Sequence, residues 1–296
     1  MKANEAMPHL AMIPLRRPVA TILGAAAILF AIPATSQTPA PPAAPVAEPV
    51  ATYADIAALV DASTIVARAE IRKQVAVEAA RAPGLASGKI RLFVQARTEN
   101  LLAGRAAVGE SLSFLVDVPA DAKGKAPRLK KQKFLVFAAP VAGKPGQLQL
   151  VRPDAILPAD PALEAQVRAV ATELASPDAP ARVTGVREVM SVRGNLAGES
   201  ETQIFLETAG GAPVSLSVVR RPGMEPTWGV SWSEIVDQAA DAPRGGTLEW
   251  YRLACALPAT LPPAAFLQGD SSARYQADAD YALVRQSLGP CTRKKT

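Results

Sequence analysis

Two acidic residues lie beside tryptophans in this sequence, a combination that glycoside hydrolases can use for catalysis. Glu234 follows Trp228 and Trp232, and Glu249 precedes Trp250. A glycoside hydrolase uses two carboxyl groups about 5 to 10 Å apart in a cleft, and neighbouring aromatic rings can stack on sugars. One hypothesis is therefore a histidine-free, carboxylate-based hydrolase of envelope carbohydrate. The sequence favours the alternative, in which the tryptophans pack in the core and the two glutamates are solvated.

The histidine content limits the enzymatic options further. His9 is the only histidine in the chain, and it lies before a predicted cleavage site. The mature chain would then lack Ser–His–Asp triads, Cys–His pairs and histidine ligands for zinc. Glycine-rich phosphate-binding loops are also missing from the sequence. We therefore expect no cofactor and no metal, and a non-enzymatic protein is favoured over an enzyme.

A cluster of basic residues suggests a different function. It comprises Arg128, Lys130, Lys131 and Lys133, and an apolar run follows at positions 134–139. Such a stripe could make the protein a weak binder of anionic polymers. Charges at the border of an apolar strand also protect it against pairing with other chains, and this explanation is favoured.

Two cysteines, Cys255 and Cys291, are the only ones in the chain. An even number of cysteines in an exported protein favours a disulfide between them. A cysteine beside cations could instead be a reactive thiolate, because Arg293 and Lys294 follow Cys291 closely. We expect the disulfide, and we expect the basic residues 293–295 to form a solvated tail.

The N-terminal region has the pattern of an export signal. Arg16 and Arg17 precede an apolar stretch with small residues at its end, and cleavage is predicted near Ser36–Gln37. Residues 1–36 are thus expected to be a signal peptide, with Met1, Met7 or Met12 as the start. Residues 37–52 are rich in Pro and Ala and are expected to be a disordered linker. The predicted location is the periplasm or the exterior, with membrane contact only through the transient signal.

Alternating apolar and polar residues predict a β-rich first domain at positions 53–175. A short helix is expected at its start, followed by five strands that are separated by turns rather than long helices. An amphipathic helix with Asp160 as its cap should close the unit. The count of elements is that of a small, OB-like β-barrel, and antiparallel pairing should predominate.

Residues 182–296 are expected to form a second, α+β domain stapled by the Cys255–Cys291 disulfide. Its strands include a hairpin at Gly210–Gly211 and a strand with Trp228 and Trp232 on one face. Two helices should follow, the first capped by Thr247. Asp278 and Asp280 have a spacing seen in calcium loops, but the rest of that pattern is missing, so an exposed helix face is predicted.

The function that these observations favour is that of an exported binding or envelope accessory protein. Its ligand is unknown, and the partner could be another envelope protein or a polysaccharide. The formal net charge of +5 is spread over 296 residues, which is unlike the concentrated basic surface of nucleic-acid-binding proteins. A nucleic-acid partner is therefore not expected.

Overall fold

The computed structural model describes residues 50–233, 240–267 and 270–294. Their fold is α+β, with two mainly antiparallel sheets and four α-helices. The first half contains α1 (Tyr53–Ala62), β1 (Ile65–Ala76), β2 (Lys89–Gly104), β3 (Ser111–Pro119), β4 (Lys133–Pro140), β5 (Leu148–Leu150), β6 (Ile156–Pro158) and α2 (Pro161–Ala175). The second half contains β7 (Val183–Arg193), β8 (Ser200–Thr208), β9 (Ser215–Arg220), β10 (Thr227–Ser231), α3 (Leu248–Ala254) and α4 (Ser271–Leu288). Short 3₁₀ turns lie at Ala79–Arg81 and Pro263–Ala265.

Local signals explain where the helices begin. The Thr52 side chain accepts a hydrogen bond from the backbone N–H of Asp55, and the Asp55 carboxylate accepts one from the Thr52 N–H, which completes a capping box. Asp160 caps α2, and Thr247 caps α3 through the N–H of Trp250. These caps satisfy N–H groups that the first turn of a helix leaves without partners.

The first sheet has six strands in the order β3-β2-β1-β4-β5, with β6 also paired to β4. It does not close into a barrel. Within the described chain, β3 meets the residue before β5 at an isolated parallel bridge between Ser113 and Gln147, and no ladder pairs the two strands. The first half was expected to be a small, β-barrel-like unit, and a closed barrel is not found in its six-stranded sheet.

The second sheet has the order β10-β9-β8-β7, and all of its ladders are antiparallel. α4 packs against β7 and β8. The side chains between them include Ile204, Val284 and Leu288, all buried. This sheet and helix form the second hydrophobic core.

One helix, α3, contributes to both hydrophobic cores. Leu248 and Tyr251 at the start of α3 belong to the first core, whereas Leu253 and Ala254 at its end belong to the second. Trp250 contacts both cores. All described residues fall in one compact unit, so the two-domain organisation is not confirmed.

The predicted signal peptide, and the predicted linker up to residue 49, lie outside the described residues. The linker was expected to extend to residue 52, but Ala51 is buried in the first core and Thr52 caps α1. None of the helices within residues 50–233, 240–267 and 270–294 combines the length and apolar character that a bilayer crossing requires.

Candidate functional site

An exposed row of apolar side chains crosses three adjacent strands of the first sheet. Val75 on β1 lies opposite Phe93 on β2, which lies opposite Leu115 on β3. Their exposed fractions are 48%, 36% and 48%. Neighbouring strands lie about 4.8 Å apart, so the three side chains form a continuous row about 10 Å long. We call Val75, Phe93 and Leu115 the apolar row.

A β-bulge turns Val75 toward solvent. Ile71 pairs with Ala96 and both are buried, but the next pair is Lys73 with Gln95, because Arg72 is an extra residue in β1. An extra residue shifts the alternation by one position. Residues 73 and 75 therefore point outward, although strict alternation from Ile71 would place them in the core.

Basic residues border the apolar row at its β1 end. The backbone N–H of Lys131 donates to the carbonyl of Ile71 at 2.8 Å, and the backbone N–H of Leu129 donates to the Gln74 side chain at 2.6 Å. These bonds place Lys130 and Lys131 beside the end of β1, where Arg72 and Lys73 are exposed. We call Arg72, Lys73, Lys130 and Lys131 the basic rim.

The predicted stripe is divided, because Lys133 does not join Lys130 and Lys131. Its ammonium group pairs with Glu99 at 2.9 Å, and Arg68 pairs with the same carboxylate. The hydrogen bond from Lys133 holds the pKa of Glu99 below its usual range, against the opposing effect of burial. Lys133 thus stabilises the sheet surface, while Lys130 and Lys131 remain exposed.

The predicted carboxylate pair lies only partly within the described residues. Trp228 and Trp232 pack against the second core, and Glu234 lies outside the described residues. Glu249 lies in the first turn of α3. Its described carboxylate neighbour is Glu173 on α2, whose pKa is raised by burial and by the charge of Glu249.

The structure forms the predicted disulfide between Cys255 and Cys291. Arg293 and Lys294 after it are exposed, as expected for a solvated tail, but the backbone of the tail is bonded on either side of Arg293. The carbonyl of Thr292 accepts a bond of 2.8 Å from the Thr52 hydroxyl, and the backbone N–H of Lys294 donates one of 3.0 Å to Asp55. These bonds join the tail to the two residues that cap α1, a long-range contact that the sequence does not reveal.

Asp280 was expected on an exposed face, but it is completely buried. Its carboxylate accepts bonds from the Thr202 hydroxyl, from Arg220 Nε at 2.6 Å and from Gln276 at 3.1 Å. The side of α4 that carries Asp280 packs on the sheet, and these donors compensate its burial. Asp278 is exposed as predicted.

A charged cluster at the junction of the two halves was not found from the sequence. Arg252 on α3 donates two hydrogen bonds, of 2.9 and 3.2 Å, to the Asp61 carboxylate at the end of α1, and Arg182 pairs with the same carboxylate. Burial raises the pKa of Asp61, but these partners outweigh it and hold the pKa below its usual value. A cavity of about 720 Å³ adjoins Asp61 and Arg252.

No family model matches the chain, and no curated protein matches it significantly. Within the described parts of the chain, no group of His, Cys, Asp and Glu residues is arranged to hold a metal ion.

Proposed function

We propose that the protein is an exported binding protein, and that the apolar row with its basic rim is its contact surface for another envelope protein. The observation that carries this proposal is the alignment of three exposed apolar side chains, one from each of three neighbouring strands. Single exposed apolar residues are common, but a contiguous set bordered by polar groups is typical of an interaction site. The signal-like N-terminus and the disulfide support export.

The chemistry of the row favours a protein partner over a polysaccharide. Val75 and Leu115 are aliphatic, and Phe93 is the only aromatic residue between them. Apolar side chains of a partner pack well on such a surface, whereas sugars need polar groups for their hydroxyls. The basic rim adds attraction for acidic groups. The partner is therefore proposed to carry apolar side chains next to Asp or Glu residues.

We also propose that the first half is an OB-like, partly open barrel within a two-domain protein. The strand order β3-β2-β1-β4-β5 and the parallel bridge between Ser113 and Gln147 support this. The face of the second and third strands is a common ligand-binding face of OB-folds. Phe93 and Leu115 lie on these strands.

Site-specific crosslinking in cells that export the protein tests the proposed surface. A photoreactive amino acid replaces Phe93 in one variant and Tyr275 in a matched control, since Tyr275 is 77% exposed on α4. We expect the same protein to be crosslinked in repeated experiments from position 93 and not from position 275. Reversing two rim charges with Lys130→Glu and Lys131→Glu should reduce this product several-fold.

Three outcomes would contradict the proposal. Crosslinking from position 93 that does not exceed that from position 275 would show that the row is not a contact surface. A product that glycosidases degrade would show a polysaccharide ligand instead. Retention on heparin that falls in a Lys130→Ala, Lys131→Ala variant, without a protein crosslink, would favour the anionic-polymer hypothesis.

A further inference from the structure

A second possible binding site lies at one end of the second sheet, in the half of the chain that does not carry the apolar row. A cavity of about 310 Å³ opens there between the β7–β8 turn and the end of β9. Its polar lining comprises Arg193, Glu199, Ser200, Glu201, Arg220 and Arg221. This volume suits a small ligand rather than a polymer.

The register of the strands places a serine between two arginines. Arg193 on β7 lies opposite Ser200 on β8, and Ser200 lies opposite Arg220 on β9. Directly opposite residues on antiparallel strands have side chains on the same face of the sheet. The row Arg193–Ser200–Arg220 therefore presents two guanidinium groups on either side of one hydroxyl.

The Ser200 hydroxyl is buried and has no hydrogen-bond partner among the described residues. Ser200 is only 6% exposed. A buried polar group without a partner costs free energy, and in a native protein it calls for an explanation. A ligand that accepts a hydrogen bond would supply the missing partner.

Of the three arginines that line the cavity, two have no carboxylate partner among the described residues and can bind an anion. Arg220 is held by the buried carboxylate of Asp280 at 2.6 Å. Within the described chain, neither Arg193 nor Arg221 forms an ion pair. Arg193 attracts Asp270 only at longer range.

The carboxylates of the lining are already engaged. Glu199 accepts a hydrogen bond of 3.2 Å from the backbone N–H of Leu196, and Glu201 accepts one of 2.7 Å from the Gln203 side chain. Glu199 and Glu201 are thus bonded to Leu196 and Gln203, and neither forms an ion pair with the described arginines of the cavity. The available donors of the cavity are thus the guanidinium groups and the serine hydroxyl.

We propose that this cavity binds a phosphate-type oxoanion through Arg193, Arg221 and Ser200. A guanidinium group offers two parallel N–H donors that match two oxygens of such an anion. The Ser200 hydroxyl donates to a third oxygen once the long Arg193 side chain beside it has moved toward the ligand. The phosphate can belong to a free small molecule or to a lipid headgroup.

Calorimetric titration of the full-length mature protein tests this site with three probes. These are inorganic phosphate, glycerol phosphate, and vesicles that contain phosphatidic acid. We expect saturable binding of at least one probe, and a loss of affinity of about tenfold or more in the Arg193→Ala, Arg221→Ala variant. The double variant Arg81→Ala, Arg105→Ala removes the same charge from exposed positions in the first half and should bind like the wild type.

A Ser200→Ala variant provides an independent measurement. Its affinity should fall several-fold, while its unfolding midpoint without ligand should not decrease, because the lost hydroxyl has no partner in the free protein. Binding of the two small probes indicates a free phosphate compound, and binding of the vesicles alone indicates a lipid headgroup. The proposal is overturned if no probe binds saturably, or if both double variants weaken binding equally.

Discussion

The backbone N–H of Lys294 donates a hydrogen bond of 3.0 Å to the carboxylate of Asp55, which lies 239 residues earlier in the chain. The same carboxylate accepts the N–H of Thr52 at 2.9 Å and so completes the cap of α1. The C-terminal tail thus shares the cap that begins the first helix. Because Asp55 is fully buried, each of these donors compensates part of the cost of burying its charge.

Removing the tail should therefore destabilise the first half of the protein. A chain that ends at Cys291 loses the Thr292 carbonyl, which accepts from Thr52, and the Lys294 N–H, which donates to Asp55. We expect its free energy of unfolding to fall by about 2 kcal/mol. Urea denaturation measures this change. A chain that ends at Lys294 keeps both bonds and should match the wild type; equal stability of the two truncated chains would contradict the prediction.

The substitution Asp61→Asn should lower the free energy of unfolding more than removal of the tail does. The side chain of Arg252 is only 8% exposed, and the substitution leaves this buried cation without its carboxylate. We expect a loss of about 3 kcal/mol in the free energy of unfolding, measured by urea denaturation. The exposed Asp178→Asn is a matched control that should have little effect. If Asp61→Asn behaves like that control, the junction cluster does not stabilise the fold.

The ion pair between Lys133 and Glu99 predicts a pH dependence of stability. The pKa of Glu99 in the folded protein lies below its ordinary value of 4.5. Its contribution is therefore fully present above the unfolded pKa, and it is lost as the pH falls through the folded pKa. We expect Glu99→Gln to be less stable than the wild type by about 1 kcal/mol at pH 7. The two proteins should converge in acid, and a constant difference from pH 7 to pH 3 would disprove the assignment.

Reduction of the disulfide should lower stability strongly. The bond joins residues 36 positions apart, and closing a loop of this size stabilises the folded state by about 4 kcal/mol on the chain-entropy account. Urea denaturation with and without reductant should show this difference. The double variant Cys255→Ser, Cys291→Ser should be insensitive to reductant. Mass spectrometry of the unreduced protein should give a mass two hydrogens lower than that of the reduced form; detection of two thiols would contradict the pairing.

Local signals made the helices and the disulfide predictable. Thr247 and Asp160 cap their helices through bonds to residues no more than three positions away, so the necessary information lies within a few letters of sequence. The disulfide followed from there being only two cysteines in a chain with a signal-like N-terminus.

The candidate site depends on register, which a sequence encodes only indirectly. The sequence does break alternation at Leu92–Phe93–Val94 and at Phe114–Leu115–Val116, which places an apolar residue on the solvent side of each strand. The outward turn of Val75 depends on the bulge at Arg72, and the burial of Asp280 depends on how α4 packs on the second sheet. Both arise from contacts between distant segments.

The sharing of α3 between the two cores has a consequence for the order of folding. A ribosome releases the N-terminal half first, so β1 to β6 emerge before Leu248 and Tyr251, which complete their core. The bond from the backbone N–H of Lys294 to the Asp55 carboxylate of α1 forms only after Lys294 has been added. The first core therefore cannot be completed until the C-terminal residues have been made. A nascent chain that stops before α3 lacks Leu248 and Tyr251 and exposes the apolar side chains that they would cover to chaperones.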